Sequence, residues 1–126
     1  MNSIEDWIEE LKATSKLILV EGQKDKAALE ELGITNIMMI SRTSTHKIIE
    51  AIREKEVIIL TDLDKEGKKL YSVLRHHLQK HGIKVDKVFR EFLFKETNLT
   101  HIEGLPHYLR NTSYSASNIG NPLLKL

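Results

Sequence analysis

Short, mainly apolar runs alternate along the chain with stretches in which apolar residues recur every three or four positions. Wholly apolar runs occupy residues 17–20 and 57–60, and strand-like runs that include polar residues occupy residues 36–40 and 85–89. An apolar run of this length is typical of a strand that is buried on both faces of a sheet. The pattern therefore predicts four strands, separated by helices.

The helical stretches carry ordinary start and stop signals. Ser3 can cap a first helix in which Ile4, Trp7, Ile8 and Leu11 form one apolar stripe. Further helices are predicted at about residues 24–32, from the hydroxyl-bearing residues 43–45 to residue 52, and at about residues 66–81. Apolar strands joined by helical crossovers predict a three-layer α/β/α, Rossmann-like domain with a mainly parallel sheet of about four strands.

The periodicity weakens after Phe94. Residues 100–103 predict a short edge strand, and residues 105–109 predict a short helix with Pro106 near its first turn. Residues 112–126 lack clear periodicity and predict a flexible C-terminal tail. We therefore expect one domain over residues 1–111.

Composition narrows the functional classes without choosing one. The chain has 126 residues, a length typical of a single domain, and a formal net charge of +1, so any binding to nucleic acid must come from local clusters of Lys and Arg. The absence of cysteine excludes disulfides, zinc–thiolate sites and thiol nucleophiles. The first residues do not resemble a secretory signal and no apolar run is long enough to span a bilayer, so we expect a cytoplasmic protein without membrane contact.

Two predicted strands end in acidic residues. Glu21-Gly22 follows the first strand, and Asp62, Asp64 and Gly67 follow the third. Ligands of parallel α/β sheets bind at the carboxyl ends of the strands, and clustered carboxylates repel one another unless a cation neutralises them. If the two strands are neighbours, the cluster predicts a site for Mg²⁺ or Mn²⁺, whose remaining coordination positions are open to phosphate oxygens.

Each acidic motif also has a purely structural interpretation. An acid–glycine pair after a strand is common in turns, and Asp64 can simply cap the following helix. Haloacid-dehalogenase-like and receiver-like phosphoryl-transfer domains also place aspartates at strand ends. The former expects its DxD at the first strand, and the latter expects an acidic pair where this chain has Glu21-Gly22. The two motifs together favour a functional site.

The segments LILVEGQKD and VIILTDLDKEGKK resemble the two signature motifs of the Toprim domain, over about residues 16–90. The layout is similar to small stand-alone Toprim proteins and to the Toprim part of the ribonuclease that matures the smallest ribosomal RNA. The resemblance implies that Glu21 is a general acid or base and that Glu21, Asp62 and Asp64 form a catalytic, metal-binding site. Gly22, Asp25 and Gly67 match the other motif positions.

The resemblance implies work on nucleic-acid phosphates, RNA or DNA. Toprim topoisomerases carry their tyrosine nucleophile in another domain, which we do not expect here, and Tyr71 lies on a predicted helix where packing is its expected role. Metal-dependent, nuclease-like hydrolysis of a phosphodiester is therefore the first hypothesis. The alternative is a non-catalytic nucleic-acid-binding module of a repair, replication or RNA-processing complex. A homodimer or a protein partner is compatible with either.

Basic and hydroxyl-bearing residues near the predicted carboxyl edge are candidates for holding a nucleic-acid backbone. Arg42 precedes the hydroxyls of Thr43 and Ser44 at a helix start, and Lys24 and Lys68 follow the two acidic motifs. The candidates for phosphate or nucleic-acid binding are Gly22, Lys24, Asp25, Arg42, Thr43, Ser44, Gly67 and Lys68. His101 and Glu103 are weaker candidates for the rim of the site.

Overall fold

The computed structural model describes residues 1–112 of the chain. Its strands are β1 (Leu17–Val20), β2 (Ile37–Met39), β3 (Glu56–Leu60) and β4 (Lys84–Asp86). They form one sheet in the order β2-β1-β3-β4, and all three pairings are parallel. The predicted tail at residues 112–126 lies outside the described residues except for Thr112.

The helices follow the predicted order, with one addition. They are α1 (Ile4–Ala13), α2 (Gln23–Glu31), α3 (Thr45–Ala51), α4 (Lys65–Lys80), α5 (Val88–Glu96) and α6 (Leu105–Arg110), with a 3-10 turn at Ile102–Gly104. Ser3 caps α1 as predicted, because its side chain accepts a hydrogen bond from the Asp6 backbone N–H. None of these helices combines the length and the apolar character that crossing a bilayer requires.

Alternate residues of the central strands pack into two cores. Ile18, Val20 and Ile58 face α1, α2, α5 and α6, where Trp7 and Leu29 are buried. Residues on the other face of the same strands pack against α3 and α4. That second core contains Leu17, Leu19, Ile48, Val57, Ile59, Leu74 and Leu78. The predicted three-layer α/β/α fold is confirmed.

The prediction for residues 85–89 was wrong in part, since the strand ends at Asp86. The Asp86 side chain accepts a hydrogen bond from the Val88 backbone N–H (3.0 Å), which turns the chain into α5. Phe89 then packs in the core, where its carbonyl accepts a 2.8 Å hydrogen bond from the indole N–H of Trp7. A helix is favoured here because Phe89, Phe92 and Leu93 all meet the core at helical spacing.

The predicted edge strand at residues 100–103 is also wrong. Residues 102–104 form the 3-10 turn, and Ile102 is fully buried. The Leu63 backbone N–H donates to the Thr100 carbonyl (2.8 Å), so this segment is attached to the loop after β3 and not to the edge of the sheet. The predicted short helix at residues 105–109 is confirmed as α6.

Candidate metal centre

The acidic residues lie at a topological switch point of the sheet, where the connections from two neighbouring strands lead in opposite directions across the sheet. From β1, α2 leads to β2 on one side, while from β3, α4 leads to β4 on the other. The two helices pack on opposite faces, so a crevice opens between the carboxyl ends of β1 and β3. Glu21 follows β1 and Asp62 follows β3, which places both at this crevice.

Each of the three predicted carboxylates uses one oxygen to accept a backbone hydrogen bond. Glu21 Oε2 accepts from the Asp62 N–H (2.7 Å), and Asp62 Oδ1 accepts from the Ile102 N–H (2.8 Å). Asp64 Oδ1 accepts from the Gly67 N–H (2.8 Å) and caps α4. These bonds fix the carboxylates in place, and each group retains a second oxygen for another ligand.

His101 lies close enough to the two aspartates for the three side chains to share one metal ion. One potential ligand atom from each of Asp62, Asp64 and His101 lies within 4.8 Å of the others. His101 Nε2 is 3.2 Å from Asp64 Oδ2, and its Nδ1 is 2.9 Å from the Thr100 hydroxyl. Glu21 is not in this group and reaches it through the backbone of Asp62, so its role as a metal ligand stays a prediction.

The electrostatics of the cluster are unfavourable without a cation. Burial is the main cause that raises the pKa of Glu21, and the charges of Asp62 and Asp64 add to the effect. Burial also raises the pKa of Asp62, against the lowering effect of the Ile102 N–H and of His101. Positive charge bound at the crevice would relieve both penalties.

The donor set fits a divalent cation. Carboxylate oxygens are the ligands that Mg²⁺ prefers, and Mn²⁺ accepts oxygen together with an imidazole nitrogen. Asp62 and Asp64 offer oxygen, His101 offers nitrogen, and Asp64 and His101 are partly open to solvent. Asp62, Asp64 and His101 would hold the ion, with Glu21 at its edge.

Gly67 is required by the packing of the loop between β3 and α4. A Cβ atom at this position would lie 2.1 Å from the carbonyl oxygen of Asp62, far inside contact distance. The buried Thr61 hydroxyl donates to the Gly67 carbonyl (2.8 Å) and holds the two segments together. At Gly22, by contrast, a Cβ atom would meet nothing within 4 Å.

Arg90 of α5 clamps the same loop, and sequence reasoning missed it. Its guanidinium donates to the carbonyls of Thr61 (3.1 Å) and Asp62 (2.8 Å). It also lies over the rings of Tyr71 (4.5 Å) and Phe94 (5.3 Å), so Tyr71 packs as predicted. Burial lowers the pKa of Arg90, while the nearby acids oppose that shift.

The other residues predicted to bind phosphate lie on separate loops and helices near the crevice and do not form one cluster. Lys24 is exposed on α2, and Lys68 is exposed near the start of α4. Arg42 is exposed in the turn after β2 with φ of 60°, a left-handed conformation that costs a non-glycine residue about 1–2 kcal/mol. Ser44 caps α3, and the Thr43 hydroxyl donates to the Ser41 carbonyl. Their roles in phosphate binding stay predictions.

Asp25 is buried, although it belongs to the predicted phosphate-binding set. Only 6% of its surface is exposed, and its carboxylate accepts from the Gly22 N–H (3.1 Å) at the start of α2. Burial, reinforced by the charge of Asp62, raises the pKa of Asp25 to about 6. Its ionised form is therefore costly in the folded state.

Replacing Asp25 by asparagine is expected to stabilise the metal-free protein at pH 8 by about 2 kcal/mol. Because the pKa of Asp25 is raised in the folded state, its contribution to folding stability is present below pH 4 and is lost as the pH rises through about 6. An asparagine amide avoids this loss, and its oxygen can still accept a hydrogen bond from the Gly22 N–H. Urea unfolding with a chelator at pH 4 and pH 8 measures the difference, which should vanish at pH 4.

The matched control for this change is Asp6→Asn. Asp6 is exposed and also accepts a backbone N–H bond, from Asn2 (2.9 Å), so it has the same interaction without the burial. We expect Asp6→Asn to give no gain at pH 8. An equal effect from both substitutions would contradict the burial argument.

Comparison with known proteins gives a consistent family assignment. The family model described as "Toprim domain" matches residues 15–89. A UPF0292 protein from Methanocaldococcus jannaschii is 38% identical over 81% of this chain and 86% of its own length. A UPF0292 protein from Thermococcus kodakarensis is 34% identical over 95% of this chain and 90% of its own.

A solved structure of a protein from Aquifex aeolicus shares the fold. It superposes with a TM-score of 0.77 at 36% sequence identity, covering 82% of this chain and 98% of the other. The comparisons do not test the similarity to the Toprim part of the ribonuclease that matures the smallest ribosomal RNA, which stays a prediction.

Proposed function

We propose, for a chain that belongs to the Toprim domain family, that the crevice between β1 and β3 is a divalent-metal site that hydrolyses phosphodiesters of nucleic acid. The observation that carries the proposal is that potential ligand atoms of Asp62, Asp64 and His101 lie within 4.8 Å of one another. The carboxylate of Glu21 lies beside them and accepts a hydrogen bond from the Asp62 backbone N–H. Mg²⁺ or Mn²⁺ is the cofactor that this donor set favours.

In the proposed reaction a water oxygen bonds to phosphorus while the bond from phosphorus to the leaving sugar oxygen breaks. The free oxygen of Glu21 takes the proton of the attacking water, and the leaving oxygen receives a proton from solvent. A bound cation supplies charge neutralisation at the phosphate oxygens. The backbone bonds to Glu21, Asp62 and Asp64 keep their carboxylates oriented throughout.

Cleavage is expected to need the metal and to fall about 100-fold in Asp62→Asn, because the substitution removes a charged ligand of the cation, and losing one electrostatic stabiliser of a reacting group commonly costs this much. Labelled structured RNA and DNA are incubated with Mg²⁺, Mn²⁺ or a chelator, and products are separated by size. Asp6→Asn, at an exposed carboxylate of α1, is the matched control and should cleave normally.

Ion binding is measured separately as a rise in melting temperature on adding Mg²⁺ or Mn²⁺, which Asp62→Asn should reduce. Cleavage that survives Asp62→Asn would contradict the proposed site. Nucleic-acid binding without cleavage in any metal would support the alternative, a non-catalytic module of a repair, replication or RNA-processing complex. The molecular mass in solution would test the predicted homodimer.

A further inference from the structure

The charge of this protein is distributed unevenly between the two helical layers. α4 carries five Lys or Arg residues and one acidic residue, Glu66. α1, in the layer on the opposite face of the sheet, carries four acidic residues and one lysine. The small net charge of the chain therefore conceals a basic face, which is formed by Lys65, Lys68, Lys69, Arg75 and Lys80 of α4.

The five side chains of the basic face are available to an external partner. All five are exposed, while Leu74 and Leu78 hold the other side of α4 in the core. Within residues 1–112, no carboxylate lies at ion-pair distance from any of the five. Their charges are therefore not used to stabilise the fold through ion pairs.

Helix stability does not account for the basic face either. The helix dipole favours cations in the last turn, which explains Lys80, but it disfavours cations near the first turn, where Lys65, Lys68 and Lys69 lie. The N-cap residue at this end of α4 is Asp64, which belongs to the candidate metal centre. The cations therefore begin beside the metal centre and continue to the far end of the helix.

We propose that the basic face of α4 binds the phosphate backbone of a nucleic-acid duplex and leads it to the metal centre. Lys65 and Lys80 are separated along the helix axis by about 22 Å at 1.5 Å per residue, enough to contact several phosphates. Single-strand sites use exposed aromatic rings for stacking. Tyr71 of α4 is half-buried under Arg90, and the rings of His76 and His77 on the same helix lie edge to face against each other. A duplex therefore fits this surface better.

The test is binding of a labelled duplex of about 24 base pairs, a little over two turns, measured by fluorescence anisotropy at several salt concentrations. A chelator prevents cleavage. DNA duplex, RNA duplex and single strand are separate arms. The variant is Arg75→Gln with Lys80→Gln, which lies away from the metal centre, and the control is Lys12→Gln with Lys95→Gln, which removes the same charge from α1 and α5.

The α4 variant is expected to bind a duplex about tenfold more weakly near 100 mM salt, and its slope of log Kd against log salt should fall by about 2, for two lost phosphate contacts. The control should bind within about twofold of the unchanged protein, the scatter expected when no phosphate contact is lost. Equal losses in both variants, no loss in the α4 variant, or tighter binding of single strand than of either duplex would overturn the proposal.

This inference rests on the proposed function for its substrate class, yet the two fail separately. Cleavage that depends on Asp62 while the α4 variant binds normally would overturn the basic face and leave the hydrolytic site in place. Duplex binding that is lost in the α4 variant, without cleavage in any metal, would overturn hydrolysis and leave the basic face in place.

Discussion

Gly67→Ala is expected to lower the free energy of unfolding by about 4 kcal/mol and to abolish metal binding. The added Cβ atom would overlap the Asp62 carbonyl oxygen, 2.1 Å away, and backbone atoms cannot rotate out of the way as a side chain can. In an ordinary helical position the same change stabilises a protein by about 1 kcal/mol, so the sign itself is diagnostic. Urea unfolding with a two-state fit measures the loss.

Gly22→Ala is the matched control, because Gly22 belongs to the other acidic motif. Its backbone is extended, with φ of −150°, and a Cβ atom there would meet nothing within 4 Å. We expect a change within about 1 kcal/mol, in the stabilising direction, because alanine restricts the unfolded chain. If Gly67→Ala unfolds at the same urea concentration as Gly22→Ala, the close approach of Gly67 to Asp62 is not present in solution.

Arg90→Gln is expected to lower the free energy of unfolding by about 3 kcal/mol. Two carbonyls, those of Thr61 and Asp62, lose a charged donor, and such bonds are worth about 1.5–3 kcal/mol each before water replaces part of them. The stacking on Tyr71 is lost as well. Because Arg90 fixes the loop that carries Asp62, weaker metal binding should accompany the loss of stability.

Arg110→Gln is the matched control, because it shows how much stability is lost when an exposed arginine is replaced in the same way. Arg110 forms an exposed ion pair with Glu31 at 3.1 Å, and such pairs contribute less than about 1 kcal/mol. Arg90→Lys provides a second comparison, since it retains the charge but cannot donate to two carbonyls in one plane. An Arg90→Gln protein that is as stable as Arg110→Gln would refute the clamp.

The acidic motifs could be found from sequence because their signal is local. Apolar strands that end in Glu21 and in Asp62 place these carboxylates at the carboxyl edge, whatever the rest of the fold does. Adjacency of the two strands followed from the family motifs and not from periodicity. The register Val20 to Leu60 then brings the carboxylates together.

Arg90 could not be found in the same way, and His101 could be named only as a weaker candidate for the rim of the site. Each reaches the site from a segment after β4, and their contacts depend on where α5 and the 3-10 turn pack. The short segment at residues 85–89, apolar except for Asp86 and Lys87, cannot distinguish a longer strand from a short strand followed by a helix, so α5 was not predicted. With α5 missing, Arg90 had no predicted position near the loop.

The bond from the Ile102 N–H to Asp62 Oδ1 joins residues 40 positions apart in the chain. On the ribosome, Asp62 and Asp64 therefore emerge well before the segment that orients them and before His101. A nascent chain that ends before residue 102 lacks the backbone N–H that orients the Asp62 carboxylate, so its candidate metal centre is incomplete. The order of synthesis thus delays completion of the candidate metal centre until the segment after α5 has emerged.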